Sequence, residues 1–208
     1  AQLRQAPFWP APEAIARPIQ DGWTHQGGRT SHAGPGTSTE GLNAHNFVFS
    51  IENHDQVGNR ARALHLASLV SRAQYRAVST LLLLSPERVM LFQGQEFASR
   101  GNFFYFTDHH EELGRQVTEG RRREFGAFPE YQDHPELIPD PQSEETFKRS
   151  RLSRADQRQN VWAVRLYDEL FQLRLTDPVL KRPDGEATRA WAEGGVVYVE
   201  RTAGRRRR

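Results

Sequence analysis

The stretch Phe47-Val-Phe-Ser-Ile-Glu-Asn-His-Asp-Gln-Val-Gly-Asn59 sets an apolar run directly against two carboxylates, an imidazole and two amides. Glu52, Asn53, His54, Asp55 and Gln56 are side chains that can hold hydroxyls, carry protons or stabilise developing charge. A second polar end, Gln93-Gly-Gln-Glu96, closes another apolar run and offers Glu96 as a carboxylate. Further on, Phe103-Phe-Tyr-Phe-Thr-Asp-His-His-Glu-Glu112 combines flat apolar faces at Phe103, Tyr105 and Phe106 with hydrogen-bonding groups at Asp108 and His109. Each segment has a plainer reading: polar residues that satisfy loop amides, and a hydrophobic plug beneath a loop. Asp108-His-His-Glu-Glu112 has metal-binding residue types but lacks the i, i+4 histidine pair of a helical zinc site. His25 and His32 are isolated histidines with no second ligand at useful spacing.

The elements that must position these groups follow from periodicity. The run Phe47–Ile51 is short, apolar and bounded by polar residues, which predicts a buried strand of a parallel sheet. Such strands carry chemistry at their C-terminal ends, where side chains can face a cleft. Leu64 to Val70 is apolar-rich, and Ser71-Arg-Ala-Gln74 has the form of a capping box. Ala73, Ala77, Leu81 and Leu84 then repeat at helical spacing, with Val78 and Leu82 widening the stripe. Ser85-Pro86 stops that helix, because proline cannot continue the backbone ladder. Val89–Phe92 is the next strand, so strand, helix and strand form one right-handed crossover.

Around this unit the reading is coarser. Pro7, Pro10 and Pro12 argue against regular structure at the start, apart from a short helical turn from Glu13 to Arg17 before Pro18. Trp23 to His45 is a Gly-, Ser- and Thr-rich connection, and Pro129 to Ser143 a proline- and acid-rich one. Gly120-Arg-Arg-Arg-Glu-Phe125 reads as a solvated face rather than a phosphate site. One helix is expected from Ser153 or Asp156 to about Leu175, with Trp162, Leu166, Leu170 and Leu173 on one stripe and Asp177-Pro178 ending it. Thr188–Ala192 and Val196–Glu200 flank Glu193-Gly-Gly195 as a hairpin.

Composition narrows the function classes. The 208 residues can bury a sizeable core but fall short of the roughly 250 of a complete β/α barrel. Formal charge is +2, and without Arg205–Arg208 the balance is 24 basic to 26 acidic residues. The pI of about 9.2 therefore comes from a terminal run, expected to be a disordered end, and not from the clustered patch that nucleic acid binding needs. Cysteine is absent, which excludes disulfides and thiolate metal sites. No apolar segment of signal-peptide or membrane-span type is seen, so no membrane partner is expected. The chain opens with Ala1 and has Met90 as its one methionine, so it is expected to be part of a longer protein.

Asn53-His-Asp-Gln-Val-Gly-Asn-Arg60 resembles the strand-seven motif of the α-amylase family of glycoside hydrolases. Gln56-Val-Gly-Asn-Arg60 is similar to the continuation found in its trehalose-releasing members and differs from that of the branching enzymes. The resemblance extends through Met90-Leu-Phe-Gln-Gly-Gln-Glu96, Tyr105-Phe-Thr-Asp-His109 and Gly120-Arg-Arg-Arg-Glu-Phe125, over roughly residues 15 to 180. It implies an α/β fold: the C-terminal part of a (β/α)8 barrel, with strands 7 and 8 and their helices, followed by the start of a β-sandwich. Residues 1–150 would be barrel, 151–182 a connecting helical region, and 183–208 the first part of the β domain.

Retaining glycosidases work with two carboxyl groups about 5 to 5.5 Å apart. On a continuous strand Glu52 and Asp55 would point to opposite faces about 10 Å apart, so they are not that pair unless the strand ends between them. The resemblance implies instead that the nucleophile and the acid/base lie upstream of Ala1. It makes Asp55 the third family carboxylate, a stabiliser of the oxocarbenium-like transition state, and His54 a sugar contact. Gln56, Glu96, Tyr105, Asp108 and His109 become candidate substrate-binding residues, while Glu52 stands where the family more often has a neutral amide and receives no role. The implied substrate is maltooligosyl trehalose or another α-glucan, with no cofactor, no metal, no nucleic acid partner and a cytoplasmic location. A non-catalytic glucan-binding remnant and a branching enzyme are the alternatives.

Overall fold

A computed structural model describes residues 12–22, 38–126, 131, 134, 137–181, 188–204 and 206–208. The expectations for Ala1–Ala11, His25, His32 and much of the connection after Pro129 lie outside these residues. In chain order the first elements are α1 (Pro12–Asp21), β1 (Val48–Phe49), α2 (His54–Gly58), α3 (Arg72–Leu84), β2 (Arg88–Val89) and α4 (Glu111–Phe125). They are followed by α5 (Glu144–Arg149), α6 (Arg154–Gln159), α7 (Val161–Thr176), β3 (Thr188–Glu193), β4 (Val196–Ala203) and β5 (Arg206–Arg207). The chain divides into two compact units.

The first unit takes residues 1–49, 81–90 and 170–208. Here β1 and β2 pair in parallel, Val48 with Arg88 and Phe49 with Val89, and the Met90 amide donates to Phe49 O at 2.9 Å. A parallel pair joined through a helix is the expected crossover unit, but the strands are not buried as expected: Val48 and Arg88 are exposed, and Phe49 and Val89 are half-buried. The pairing is shorter than the apolar runs, because each of these strands has only the other as a ladder partner among the described residues. Where Leu84 gives way to Ser85-Pro86, the carbonyls left without helical donors are met by side chains. Arg174 donates to Leu83 O, Ser85 O and Glu87 O at 2.5–2.7 Å, and Arg201 donates to Leu84 O and Leu180 O.

Helix α1 runs through Pro18 instead of stopping before it. Proline costs one helical hydrogen bond, but Ala16 and Ile19 on either side are buried with Ala190, and Phe49, Leu81, Val197 and Val199 pack around them. Burial of that stripe outweighs the broken ladder. The hairpin is as expected: Glu193 pairs with Val196 across Gly194 and Gly195, whose φ of 57° and 80° a two-residue primed turn requires. Arg206–Arg208 correct the expectation of a disordered end; Arg205 lies outside the described residues. Gly204, at φ 62°, turns the chain back, and Arg206 and Arg207 add a third antiparallel strand against Ala203 and Thr202. Backbone pairing does not depend on side-chain type, and Arg208 adds an ion pair with Asp177 at 2.9 Å.

The second unit takes residues 50–80 and 91–169. The Ser71 box forms as read: Gln74 N donates to Ser71 Oγ, and Ser71 N and Oγ donate to Gln74 Oε1. Tyr75 and Tyr167 are almost fully buried, which obliges their hydroxyls to find partners. Tyr75 donates to Gln95 O at 2.7 Å, while Tyr167 meets Ser79 Oγ at 3.0 Å and accepts from Gln95 Nε2 at 2.9 Å. This network fixes the 93–97 turn to two helices. The single helix expected from about residue 153 to 175 is two, α6 and α7, broken at Asn160. Asn160 caps α6 and donates its side-chain amide to Ala98 O at 3.1 Å, a tertiary bond that outcompetes helix continuation. Among the described residues no helix is long and apolar enough to cross a membrane.

Candidate functional site

All the residues singled out for chemistry lie in the second unit. Strand β1 ends at Phe49 and α2 begins at His54, so Glu52 and Asp55 are not two positions of one strand. Asn53 caps α2, its Oδ1 accepting from Gln56 N–H at 2.9 Å. The result is a single helical turn that buries Val57 and Gly58 and presents His54, Asp55 and Gln56 to solvent. His54 Nε2 lies 3.4 Å from Asp55 Oδ1, and both side chains are well exposed. Such a pair contributes little to stability and is free to engage a ligand. Glu52 is the opposite case, buried and bonded to His65 and Leu66 N–H. It is not a partner for Asp55.

Arg121 joins α2 to the aromatic loop. Its guanidinium donates to Gly58 O at 2.7 Å and Asn59 Oδ1 at 2.9 Å, and lies 4.7 Å from the Tyr105 ring centre and 4.8 Å from that of Phe125. Burial holds its pKa below the usual arginine value, with Glu124 and Tyr105 opposing the shift. The arginine run 121–123 is thus not uniformly a solvated face. Arg122 and Arg123 are exposed, whereas Arg121 is turned inward with Gly114, Thr118 and Phe125. That stripe has helical spacing, and following it through the charges would have found Arg121 in the sequence.

The aromatic segment divides between the two readings given for it. Phe104 is buried, and Phe103 packs edge-on against Phe92 and Phe106. Tyr105 and Phe106 keep over a third of their surface open, the former beside Arg121. Asp108 and His109 are exposed, and Gln142 holds the backbone beneath them. Its Oε1 accepts from Thr107 Oγ1 at 2.5 Å and His109 N–H at 3.2 Å, and its Nε2 donates to His109 O at 2.8 Å. Gly114 admits this side chain, since a Cβ there would stand 2.3 Å from Gln142 Nε2.

Glu96 sits apart on its own turn, Gln95–Phe97, exposed between two buried neighbours. Gly94, at φ 86°, makes the turn possible, because a Cβ there would meet Leu152 and Ser99 at 2.8 Å. Within the candidate set, then, His54 and Asp55 touch, and Arg121 ties the end of their helix to Tyr105. Asp108 and His109 hang from Gln142, and Glu96 is placed by Gln95. Among the described residues no three His, Asp or Glu side chains converge as a metal ion would require.

No family profile matches the sequence. The chain is 40% identical over 200 residues to a malto-oligosyltrehalose trehalohydrolase from Deinococcus radiodurans, covering 92% of this chain and 33% of that protein. It is 36% identical over 173 residues to the protein of the same name from Brevibacterium helvolum, covering 80% of this chain and 29% of the relative. Its fold is similar to a 1.4 Å crystal structure described as a candidate alpha amylase from Salmonella typhimurium. There the TM-score is 0.81 and the identity 32%, over 94% of this chain and 35% of the other. The chain spans about a third of the length of the curated relatives it matches. By sequence, and with an α/β fold shared with a candidate amylase, the chain is a relative of the malto-oligosyltrehalose trehalohydrolases.

Proposed function

We propose that this chain supplies part of the substrate cleft of a glycoside hydrolase that cleaves maltooligosyl trehalose and releases trehalose. The observation that carries the reading is α2: a capped single turn that presents His54, Asp55 and Gln56 together, held by Arg121 against Tyr105. Its motif resembles the strand-seven motif of the α-amylase family, in a chain 40% identical to a trehalohydrolase. In this reading Asp55 stabilises the positive charge that develops on the sugar ring at the transition state, which raises the rate of chemistry and not only affinity. His54 contacts the sugar at the cleavage point. Gln56, Glu96, Asp108 and His109 bind hydroxyls, and Tyr105 stacks on a ring face.

The nucleophile and the acid/base belong to sequence outside this chain. Residues 1–150 form the last strands and helices of the (β/α)8 barrel, 151–182 a connecting helical region, and 183–208 the start of a β-sandwich. The location is cytoplasmic and the partner is the glucan, with no nucleic acid or membrane involved. The test is to incubate the isolated chain, and a full-length protein carrying it, with maltooligosyl trehalose and to measure free trehalose. The full-length protein releases it and the isolated chain does not. Release by the isolated chain that Asp55→Asn abolishes would overturn the division of roles. Release by neither would overturn the reaction.

A further inference from the structure

Glu52 leads directly into Asn53–Gln56, yet its carboxylate is 1% exposed while His54, Asp55 and Gln56 face solvent. One of its oxygens lies 3.0 Å from His65 Nδ1, and the other accepts from Leu66 N–H at 2.7 Å. An ionised carboxylate accepts and never donates, so this geometry places a proton on His65 Nδ1. The imidazole, 2% exposed, stacks on Phe92 with centroids 5.5 Å apart. Phe92 in turn meets Phe103 edge-on at 5.0 Å, and Phe103 meets Phe106 at 5.9 Å.

The backbone beside His65 is pinned to the same aromatic loop. Phe103 N–H donates to Ala63 O at 2.9 Å, and Asn102 Nδ2 donates to Arg62 O at 2.7 Å. Ala63 is fully buried and held at φ 47°, a conformation that a residue with a Cβ keeps only when its surroundings enforce it.

We propose that Glu52 and His65 form a positioning pair for the candidate glucan site. Glu52 fixes the segment 63–66 to the backbone that carries His54 and Asp55. That segment passes the constraint on through Phe92 and Phe103 to the loop bearing Tyr105 and Phe106. What is positioned rests on the glucan reading; the pair itself rests on its geometry. Glutamine at 52 cannot replace the carboxylate, because it has one acceptor oxygen for two donors. In Glu52→Gln the Leu66 amide keeps that oxygen, and the side-chain NH2 faces Nδ1, which moves the imidazole proton to Nε2.

The experiment is a double-mutant cycle of Glu52→Gln and His65→Ala in a full-length protein carrying this chain, with ¹⁵N NMR of the His65 ring, amide shifts, and calorimetric titration with maltopentaose. We expect a protonated Nδ1 in the original chain and the Nε2–H form in Glu52→Gln. Amides of both 53–56 and 103–106 should shift in each single variant. His65→Ala should bind maltopentaose about tenfold more weakly, the effect of one lost hydrogen bond; Glu52→Gln, which exchanges a charge-assisted bond for a neutral one, should lose less, and the double variant should fall less than about twofold below His65→Ala. A proton-free Nδ1 in the original chain, or single effects that multiply in the double variant, would overturn the pair. If the unsubstituted full-length protein takes up no maltopentaose, the glucan reading fails, and the ring signature with the amide shifts still decides the pair. Shifts confined to the neighbours of residues 52 and 65 would refute positioning.

Discussion

Glu52 and Glu87 are both about 1% exposed, and they are buried in opposite ways. Glu52 gives each oxygen a donor, the imidazole of His65 and the Leu66 amide. Neither oxygen of Glu87 has a well-formed hydrogen bond. The cations that act on it, Arg201 and Arg174, donate N–H groups to backbone carbonyls. Burial consequently pushes the Glu87 carboxyl up to about 7, against the weaker pull of its own amide, Arg201 and Arg174. A buried carboxylate bonded at both oxygens ties segments together; one without partners makes the fold sensitive to pH.

The comparison breaks most sharply at Glu52. Glu52→Ala leaves the Nδ1–H of His65 and the Leu66 amide without acceptors in a closed interior, and we expect a loss of about 3 kcal/mol in chemical unfolding. Arg174→Ala should come next, at about 2 kcal/mol, since it strips the donors from Leu83 O, Ser85 O and Glu87 O at the end of α3. It also removes a cation from Glu87, so the pH dependence of stability should steepen.

The effect of Glu87→Gln depends on pH. The folded state holds the Glu87 proton up to about pH 7, whereas the ordinary value is 4.5. Between those values the folded state binds more protons than the unfolded chain. The contribution to stability is therefore complete below about 4.5 and is lost as pH rises through 7. Glu87→Gln, which cannot ionise, should match the original chain near pH 4.5 and become increasingly more stable than it as pH rises towards 7 and beyond. Thermal melts across that range measure it, and a variant that tracks the original chain at every pH would show that folding does not raise the Glu87 pKa.

What could be read from the sequence was what local chemistry decides. The Ser71–Gln74 box, the apolar stripe of α3, the stop at Ser85-Pro86 and the Gly194–Gly195 turn each depend on residues within a few positions of one another. Two of the readings that needed correction were decided at long range. Burial against Ala190 carries α1 through Pro18, and Ala98 O draws Asn160 out of a continuous helix, whereas the strand of Arg206 and Arg207 forms locally, three to five residues from its partners. The site divides along the same line. His54, Asp55 and Gln56 are set out by the Asn53 cap, a local signal, whereas Arg121, Gln142 and the pairing of Glu52 with His65 depend on side chains that meet across the fold.

We propose that Asp55 acts on the transition state and not merely on binding. The most direct measurement is the steady-state kinetics of Asp55→Asn in a full-length protein carrying this chain, with maltooligosyl trehalose as substrate. The substitution keeps size and shape and removes the charge. The account predicts a fall in kcat of at least about 10²-fold, the scale of losing one preorganised electrostatic group, with KM moving much less. A raised KM with kcat unchanged would contradict it and make Asp55 a residue of uniform binding.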